Sequence, residues 1–519
     1  MITHVEFPQI FNATSAIIDT NLEAGRGDKV AIYYLDQQIT YTKMAEMVNR
    51  TGNALKNLGV DMENRVLLLM LDCPEFIYTF YGAIKMGAVP VPVNTLLTPT
   101  DYEYIFNDTR ARVLVVSAEL LPQVEQIKRD LKYLKEIIVV GEEKVDYHAF
   151  NNLITGASPT LTAAETSKDD VAFWLYSSGS TGAPKGTVHL QHDMLCCANF
   201  FGRNILNMGP NDIHFSVAKL FFAYGLGNSS YFPFLVGGAT VLYPGRPLPE
   251  NIFEMVQKYR PTLFFGVPTA YNNMLQIKDA EKIYDFSSVR LCVSAGEVLP
   301  AAVYHHWMRR FSVEILDGIG STEMCQNFTS NPPGQVRPGS SGLAVPGYEL
   351  KAMDEEGKEV PRGEIGTLYI KGDSSAAYYW NKHEKTKQTM VGEWLNSGDK
   401  YYQDEDGYWW PVGRSDDMLK VGGIWVSPLE VEGTLVEHSA VLETAVVGKA
   451  DEAGLIKPMA FIVLKEGYQP SDNLAQELQQ YVKNKIAPYK YPRWIKFVDA
   501  LPKTATGKLQ RYRLRQGNV

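Results

Sequence analysis

The 519-residue sequence has few cysteines, and none of them is placed to hold a structural metal ion. The five are Cys73, Cys196, Cys197, Cys292 and Cys325, which form no C-x-x-C pair and have no histidine at a zinc-site spacing. An odd and sparse set of cysteines is typical of a reducing compartment. The sequence therefore predicts neither a zinc site nor a disulfide framework, and it favours a cytoplasmic location.

A basic surface and a membrane anchor are also lacking. With 50 basic and 59 acidic residues the formal net charge is -9, which argues against nucleic acid as the main partner. The N-terminus has neither the basic nor the apolar region of a signal peptide. Residues 220–245 carry no charge and are long enough to span a bilayer. Repeated glycines and a proline interrupt them, so we expect buried strand, turn and pocket wall, and no membrane partner.

The order of apolar segments predicts an α/β protein of more than one domain. Helix-like segments such as residues 42–58 alternate with apolar strands such as residues 65–70, a pattern that favours parallel α/β architecture. Short strands divided by glycine and aspartate turns predict a β-rich part at residues 339–413. We expect residues 1–414 to form a large core of doubly wound α/β subdomains plus this β-rich part. Residues 415–519 are expected to form a small, mobile α+β domain.

A segment rich in glycine and serine, residues 177–186, follows an apolar run at residues 171–175. Its glycines let the backbone turn N–H groups toward an anion, its hydroxyls add donors, and Lys185 adds a positive charge for phosphate oxygens. It is not a Walker A loop, because Lys185 stands between Pro184 and Gly186. The alternative is a flexible connector, but the strand directly before it favours a phosphate site for ATP.

These residues resemble the signature of the acyl-adenylate-forming enzymes, the superfamily of acyl-CoA synthetases, luciferases and adenylation domains of peptide synthetases. The resemblance covers nearly the whole chain and keeps the family's order of motifs. GSTE at residues 320–323 resembles the second signature, NSGD at 396–399 the third, GRSDD at 413–417 the hinge, and PKTATGK at 502–508 the C-terminal lysine motif. Five motifs in register are much more specific than any one of them.

The resemblance implies an AMP-forming acid–thiol ligase that uses ATP, Mg²⁺ and coenzyme A. A carboxylate would attack the α-phosphate of ATP and release pyrophosphate, and the thiol of coenzyme A would then take the acyl group and release AMP. The catalytic residues that it implies are Lys508, Lys185, Thr181 and Glu323. The ATP- and AMP-binding residues that it implies are Ser177, Ser178, Gly179, Ser180, Thr181, Gly182, Lys185, Ser294, Ala295, Gly296, Glu297, Asp317, Gly318, Ile319, Gly320, Ser321, Thr322, Asp399 and Arg414.

Each of these roles has a plainer alternative in the sequence alone. Glu323 resembles the Mg²⁺ ligand, and one carboxylate can suffice because Mg²⁺ keeps several waters, but alone it reads as a surface acid after a turn. Asp399 resembles the acceptor of both ribose hydroxyls, with Arg414 as a second contact, although an aspartate after glycine is usually a turn residue. Composition alone indicates that Lys508 belongs to a solvated basic tail. The resemblance makes it a clamp on the carboxylate and the α-phosphate.

The second half-reaction would require the small domain to rotate. By position, Asp416 resembles the hinge residue, and hinges absorb a large change of backbone dihedrals in a few residues. The rotation would withdraw Lys508 and bring Gly422 and Gly423 to the channel for the pantetheine arm of coenzyme A. Two adjacent glycines suit a surface that a narrow ligand passes closely.

Within the superfamily, residues 218–228, 317–324 and 420–426 look like the benzoate–CoA ligases. A flat apolar slot with a polar rim suits a small aromatic acid, and the alternative is that its aromatic residues are only core. The acyl pocket implied is Phe222, Ala223, Tyr224, Gly225, Gly320, Cys325, Gln326 and Asn327. Cys325, Gln326 and Asn327 depart from the Leu-His-Ile of that subgroup and are more polar. Either Gln326 or Asn327 binds a hydroxyl or amino substituent, or the acid is not aromatic.

Other functions stay open at this point. The substrate could be a small non-aromatic acid, and the acceptor could be O₂ or the pantetheine of a free carrier protein; a fused carrier is not expected, since the chain ends soon after Lys508. A binding protein with an inactive site is disfavoured by the joint presence of Lys185, Glu323, Asp399, Arg414 and Lys508. The oligomeric state is open, a homodimer being one alternative, and so is silencing of Lys508 by acylation.

Asp416→Pro should separate the two half-reactions. Proline restricts the backbone at the hinge, so we expect adenylate formation, measured as pyrophosphate release without coenzyme A, to be spared. Thioester formation should stop. Equal loss of both steps would contradict the assignment of the hinge.

Overall fold

The computed structural model describes residues 1–142, 144–179, 182–414, 417–421, 424–452, 455–503 and 509–516. At residues 178, 179, 182, 183, 420, 424 and 425 it describes the backbone alone. None of the helices in these ranges combines the length and the apolar character that crossing a membrane would require.

Two largely parallel sheets form the centre of the large domain. One runs in the order Val89–Pro92, Arg65–Leu69, Val113–Ser117, Glu136–Val140 and His148–Ala149. The other runs in the order Ile315–Asp317, Leu291–Ser294, Leu263–Gly266, Ile213–Ser216, Ala239–Leu242, Val30–Tyr34 and Gln37–Thr40, with only the last pair antiparallel. Val66, Leu67, Leu68 and Leu69 are all fully buried although they point alternately to the two faces. A parallel strand that is covered on both sides requires this apolar run, so the predicted α/β fold is confirmed.

Helices cover these sheets. Among the described residues the α-helices are Thr20–Glu23, Tyr41–Asn57, Pro74–Lys85, Pro99–Thr109, Leu121–Glu125, Phe150–Thr155, Asp193–Cys197, Ala223–Leu226, Phe232–Val236, Pro249–Tyr259, Pro268–Met274, Ala280–Ile283, Ala301–Phe311, His383–Thr389, Pro428–Val436, Asp472–Lys485 and Arg511–Arg515. Short 3₁₀ or π turns are Ser15–Asp19, Ala118–Leu120, Lys128–Asp130, Ala198–Arg203, Gly227–Tyr231, Thr322–Met324 and Pro488–Lys490.

The helices Tyr41–Asn57 and Pro74–Lys85 pack together in the main core, in one apolar cluster with residues of both sheets. Every residue of the second helix except Glu75 is buried. The two helices approach so closely that a Cβ atom on Gly82 would lie 2.8 Å from the carbonyl oxygen of Val48 and 2.9 Å from the nitrogen of Gly52. Glycine is therefore required at this crossing.

The other sheets are smaller. An antiparallel sheet joins Tyr378–Tyr379, Gly182–Leu190 and Val171–Gly179, and a short pair joins Thr329–Ser330 to Leu343–Ala344. The predicted β-rich part is a sheet of Glu349–Met353, Gly366–Lys371, Trp394–Gln403, Met390–Val391 and Trp409–Arg414. Beyond it lie the pair Leu419–Val421 and Ile424–Val426, and the sheet Val441–Ala450, Ile456–Leu464 and Trp494–Phe497. The last sheet and its helices form a separate core, while the exact domain boundary at residues 414 and 415 stays a prediction.

Two local expectations differ from the structure. Residues 223–236 form one continuous helical stretch, π-helical at Gly227–Tyr231, and the strand Ala239–Leu242 follows. This stretch is buried on nearly all sides, so its sequence shows no amphipathic helical period. The glycine-rich segment is not a long loop either. Its strands extend to Gly179 and resume at Gly182, with Ser177 paired to Lys185, so most of the motif belongs to a β-hairpin.

The seven-stranded sheet contains a topological switch. From the strand Ile213–Ser216 the chain adds Ala239–Leu242 on one side and then Leu263–Gly266 on the other. Ligands of open α/β sheets bind outside the carboxyl ends of strands at such a point. The carboxyl ends here are Ser216, Gly266, Ser294 and Asp317.

Gly82→Ala should destabilise the large domain. The added methyl group meets backbone atoms of Val48 and Gly52 that cannot move aside freely, and overpacking of this kind costs about 1–3 kcal/mol. Scanning calorimetry should show a lower midpoint for unfolding of this domain. As a matched control, Gly433 lies in the helix Pro428–Val436 with no atom near its missing Cβ. Gly433→Ala should be neutral or stabilising, and equal shifts for the two variants would contradict this account.

Candidate active site

Lys185 and Glu323 face each other at the centre of the site. Lys185 lies on the strand Gly182–Leu190, Glu323 lies on the turn Thr322–Met324, and the ammonium nitrogen is 3.8 Å from a carboxylate oxygen. Tyr379 donates its hydroxyl to the same oxygen at 2.7 Å, and the ammonium lies 4.3 Å from the centre of its ring. A cation and a carboxylate that were predicted from separate motifs are thus brought together.

Burial acts on both charges. It lowers the pKa of Lys185 below its ordinary value, although the charge of Glu323 opposes the shift. Burial alone would raise the pKa of Glu323, but Lys185 and the Tyr379 hydroxyl outweigh it and lower that pKa. Burial and the Glu323 charge raise the pKa of Tyr379, so its hydroxyl stays a donor. Glu323 is therefore an anion of the kind that Mg²⁺ binds.

Ser294 and Asp317 lie beside each other at the carboxyl ends of neighbouring strands, as expected for the predicted adenine segments. Both are buried, and the backbone N–H of Leu299 donates to the Asp317 carboxylate at 3.2 Å. Burial raises the pKa of Asp317 to about 7. Ala295, Gly296 and Glu297 follow directly after Ser294, with Gly296 at φ +96°, so the chain turns there across the ends of the strands.

Asp399 and Arg414 are also brought together. They are register partners on the antiparallel strands Trp394–Gln403 and Trp409–Arg414, and the guanidinium lies 3.0 Å from the carboxylate. The Arg414 side chain is about half exposed. Two residues predicted to contact the same ribose are therefore direct neighbours in the β-rich part.

The predicted acyl pocket starts at the helix Ala223–Leu226, near the topological switch. The Tyr224 hydroxyl lies 3.2 Å from the carbonyl oxygens of both Gly266 and Val293. Phe222, Ala223 and Tyr224 are partly exposed, whereas Gly225 is buried. A Cβ on Gly225 would lie 2.1 Å from the carbonyl oxygen of Lys219, so this position requires glycine.

Gln326 braces the wall of this pocket. Its amide nitrogen donates to the Tyr224 carbonyl oxygen at 3.1 Å and to the Asn228 side-chain oxygen at 2.9 Å. Its amide oxygen accepts from the backbone N–H of Asn327 at 3.2 Å. These bonds engage Gln326 within the protein, whereas the polar side-chain atoms of Asn327 have no partner among the described residues.

Cys325, the residue before Gln326, is buried, and its backbone has the positive dihedral angle φ +64°. Gly320 forms a bridge with Asn327, and a Cβ on Gly320 would lie 2.6 Å from the Gln326 carbonyl oxygen. Residues 320–327 thus fold back on themselves, which brings the second signature and the predicted pocket residues together. Gly318 packs equally closely against the Asn327 amide.

Several buried polar atoms at the predicted site have no hydrogen-bond partner among the residues that the structure describes. They are the hydroxyl oxygens of Ser177 and Ser321 and both polar side-chain atoms of Asn327. Unpaired buried groups are costly. A polar ligand bound at the predicted site would supply partners for those that it reaches.

Some predicted residues lie outside the described ranges: Ser180, Thr181, Asp416, Gly422, Gly423 and Lys508. Only the backbone is described at Ser178, Gly179 and Gly182. Next to Lys508, the backbone N–H of Leu509 donates to the Glu297 carboxylate at 3.1 Å. The C-terminal segment therefore contacts the predicted adenine segment.

Sequence reasoning missed Tyr379 and Asn228. Tyr379 belongs to no motif, and its one sequence signal is the aromatic run at residues 378–380. It reaches the site because the strand Tyr378–Tyr379 pairs with the strand that carries Lys185. Asn228 lies in the uncharged segment at residues 220–245, for which the sequence predicted strand, turn and pocket wall and no individual role for this residue.

Known proteins resemble this chain over almost its full length. A family model described as AMP-binding enzyme matches residues 20–380, and one described as AMP-binding enzyme C-terminal domain matches residues 430–508. The benzoate–CoA ligase of Thauera aromatica is 51% identical, covering 98% of this chain and 97% of its own. The 4-hydroxybenzoate–CoA/benzoate–CoA ligase of Rhodopseudomonas palustris is 45% identical, covering 98% and 94%.

A solved structure of a related ligase has the same fold as this chain. The anthranilate CoA ligase AuaEII in complex with anthranoyl-AMP superimposes with a TM-score of 0.95 at 47% identity, covering 98% of both chains. The chain therefore belongs to the AMP-binding family of acyl-adenylate-forming enzymes, in which it is similar to the benzoate–CoA ligases.

Proposed function

We propose that the chain is an ATP-dependent, AMP-forming acid–CoA ligase for benzoate or a small substituted aromatic acid. The carboxylate displaces pyrophosphate from the α-phosphate of ATP to give an acyl-adenylate. The thiol of coenzyme A then displaces AMP to give the acyl-CoA. The observation that carries the proposal is the buried Lys185–Glu323 pair, in a chain that resembles aromatic acid ligases.

The first half-reaction brings two anions together, so it needs fixed positive charge and oriented donors. Lys185 supplies a charge for the β- and γ-phosphates, and the hydroxyl of Ser177, which has no partner among the described residues, supplies a donor. Glu323 is ionised and would hold Mg²⁺, which neutralises phosphate charge when bound. Asp399 would accept from the ribose hydroxyls.

The remaining assignments of the proposal rest on the sequence motifs. Lys508 would approach the carboxylate and the α-phosphate during adenylation. Asp416 would act as the hinge, and Gly422 and Gly423 would line the pantetheine channel. The contact between Leu509 and Glu297 supports a small domain that lies against the nucleotide site. The sparse cysteines support a cytoplasmic location.

In this proposal Tyr224 and Gly225 would form one wall of the acyl pocket. The hydrogen bonds of Tyr224 to the carbonyl oxygen of Gly266 and to the side chain of Gln326 support a fixed position for this wall. Asn327 offers a donor and an acceptor that the described residues leave unpaired, which suits a hydroxyl or amino group on the ring. A site with such groups discriminates against substrates that leave them unpaired.

A panel of acids tests the function. Pyrophosphate release without coenzyme A should occur with benzoate, hydroxybenzoates and aminobenzoates, and acyl-CoA with AMP should form only when coenzyme A is added. Asn327→Leu should reduce kcat/KM for the substituted acids about tenfold relative to benzoate, as for a lost hydrogen bond. Preference for acetate or another small aliphatic acid would overturn the aromatic assignment. Transfer of the acyl group to a free carrier protein instead of coenzyme A would overturn the assignment of coenzyme A as the acceptor.

Lys185→Ala should reduce adenylation on the order of 10²-fold, the usual loss for one charge-stabilising donor. Because burial lowers the pKa of Lys185, the wild-type kcat/KM for ATP should fall on the alkaline side earlier than an exposed lysine would allow. Lys185→Arg keeps its charge at all accessible pH values, so the alkaline fall in kcat/KM should be absent in this variant. An unchanged alkaline limb in the arginine variant would assign the titration to another group.

A further inference from the structure

The turn that carries Glu323 is held by donors from other segments. The carbonyl oxygen of Glu323 accepts from the backbone N–H of Ala376 at 2.7 Å, and that of Met324 accepts from the Ser374 hydroxyl at 3.0 Å. The carbonyl oxygen of Thr322 lies 2.8 Å from Nε2 of His189. Three successive carbonyls are thus fixed from outside the turn, and His189 is the one titratable side chain among these three partners.

His189 lies on the same strand as Lys185. The two are four residues apart, so in a strand their side chains point to the same face. Lys185 reaches the Glu323 carboxylate and His189 reaches the carbonyl of the preceding residue. One strand therefore positions both the cation and the turn that presents the carboxylate.

A buried partner orients the His189 ring. Its Nδ1 lies 2.7 Å from the Asp193 carboxylate, and both side chains are fully buried. The same oxygen of Asp193 accepts from the backbone N–H of Leu190 at 3.1 Å, and the His189 ring stacks on Phe173. A carbonyl oxygen can only accept, so Nε2 carries a hydrogen in any protonation state of the pair. The carboxylate fixes the ring so that this hydrogen points at Thr322.

We propose that His189, oriented by Asp193, is a positioning residue for adenylation: it holds the Thr322 carbonyl so that Glu323 is presented to Lys185 and to the metal–phosphate group. The inference rests on the proposed function of Glu323. Groups behind a metal-binding carboxylate affect metal affinity and activity by 10–100-fold when they are removed. His189 does not touch substrate in this account, and it acts through the turn.

The test compares variants that keep or lose the Nε2 donor. His189→Phe keeps a ring on Phe173 but has no donor, whereas His189→Gln retains an amide N–H at similar reach. With α,β-methylene ATP present, Mn²⁺ binding measured by electron paramagnetic resonance should weaken about tenfold in the phenylalanine variant. The glutamine variant should recover most of it. Phe173→Leu, which loosens the same packing without removing the donor, should lower the unfolding midpoint and leave Mn²⁺ affinity unchanged.

Measuring the two half-reactions separately distinguishes a positioning role in adenylation from a general loss of folded enzyme. In His189→Phe, ATP–pyrophosphate exchange should require about tenfold more Mg²⁺, while thioester formation from supplied acyl-adenylate stays within twofold of wild type. Equal loss of both steps, or wild-type Mn²⁺ affinity, would overturn the inference. Failure of the wild-type protein to exchange pyrophosphate would instead overturn the proposed function.

The alternative role for His189 and Asp193 is to bind a metal ion together with Cys325. His189, Asp193 and Cys325 offer a nitrogen, an oxygen and a sulfur atom within 4.8 Å of one another. Elemental analysis of the purified protein checks this. Stoichiometric zinc would overturn the hydrogen-bond role, and its absence together with the Mn²⁺ results would support it.

Discussion

The buried pairing of Lys185 with Glu323 is the interaction on which the site depends. Each charge is removed from bulk water, and removal of one would leave the other buried without compensation. The surroundings are arranged around this requirement: Tyr379 adds a hydrogen bond to the carboxylate, and the turn that carries it is fixed through its backbone carbonyls. In the proposed function, a phosphate chain with a bound cation would offer a partner to each of the two charges.

The sheets explain why the other groups meet at this pair. Parallel strands that end at Gly266, Ser294 and Asp317 place their carboxyl ends along one edge, at the topological switch of the sheet. The hairpin with Lys185 and the turn with Glu323 close that edge. Glycines allow the close approaches that the arrangement requires, as at Gly225 against the backbone of Lys219. Gln326, three residues after Glu323, in turn contacts Tyr224 of the predicted acyl pocket.

The sequence predicted the α/β fold and the residues that lie in recognisable motifs, but not their partners. Apolar runs such as residues 65–70 identify buried strands because parallel strands are covered on both faces. Gln326 was recognised as a pocket residue, yet its contacts, Tyr224 and Asn228, lie 102 and 98 positions away. Tyr379 reaches Glu323 across 56 positions. Contacts at such separations depend on how strands and helices pack in the folded chain, which no local pattern encodes.

Among the described residues, two hydrogen bonds join the C-terminal part to segments of the large domain that are more than 150 positions away in the chain. Glu297 accepts from the backbone N–H of Leu509, and the Asn272 amide donates to the backbone carbonyl of Leu442 at 3.0 Å. In both, the large domain contributes a side chain and the C-terminal part contributes only main-chain atoms. Sequence drift in the C-terminal part would therefore leave these bonds intact so long as its backbone shape persists. Grafting that part from a distant relative should preserve them, whereas exchange of the large domain would not.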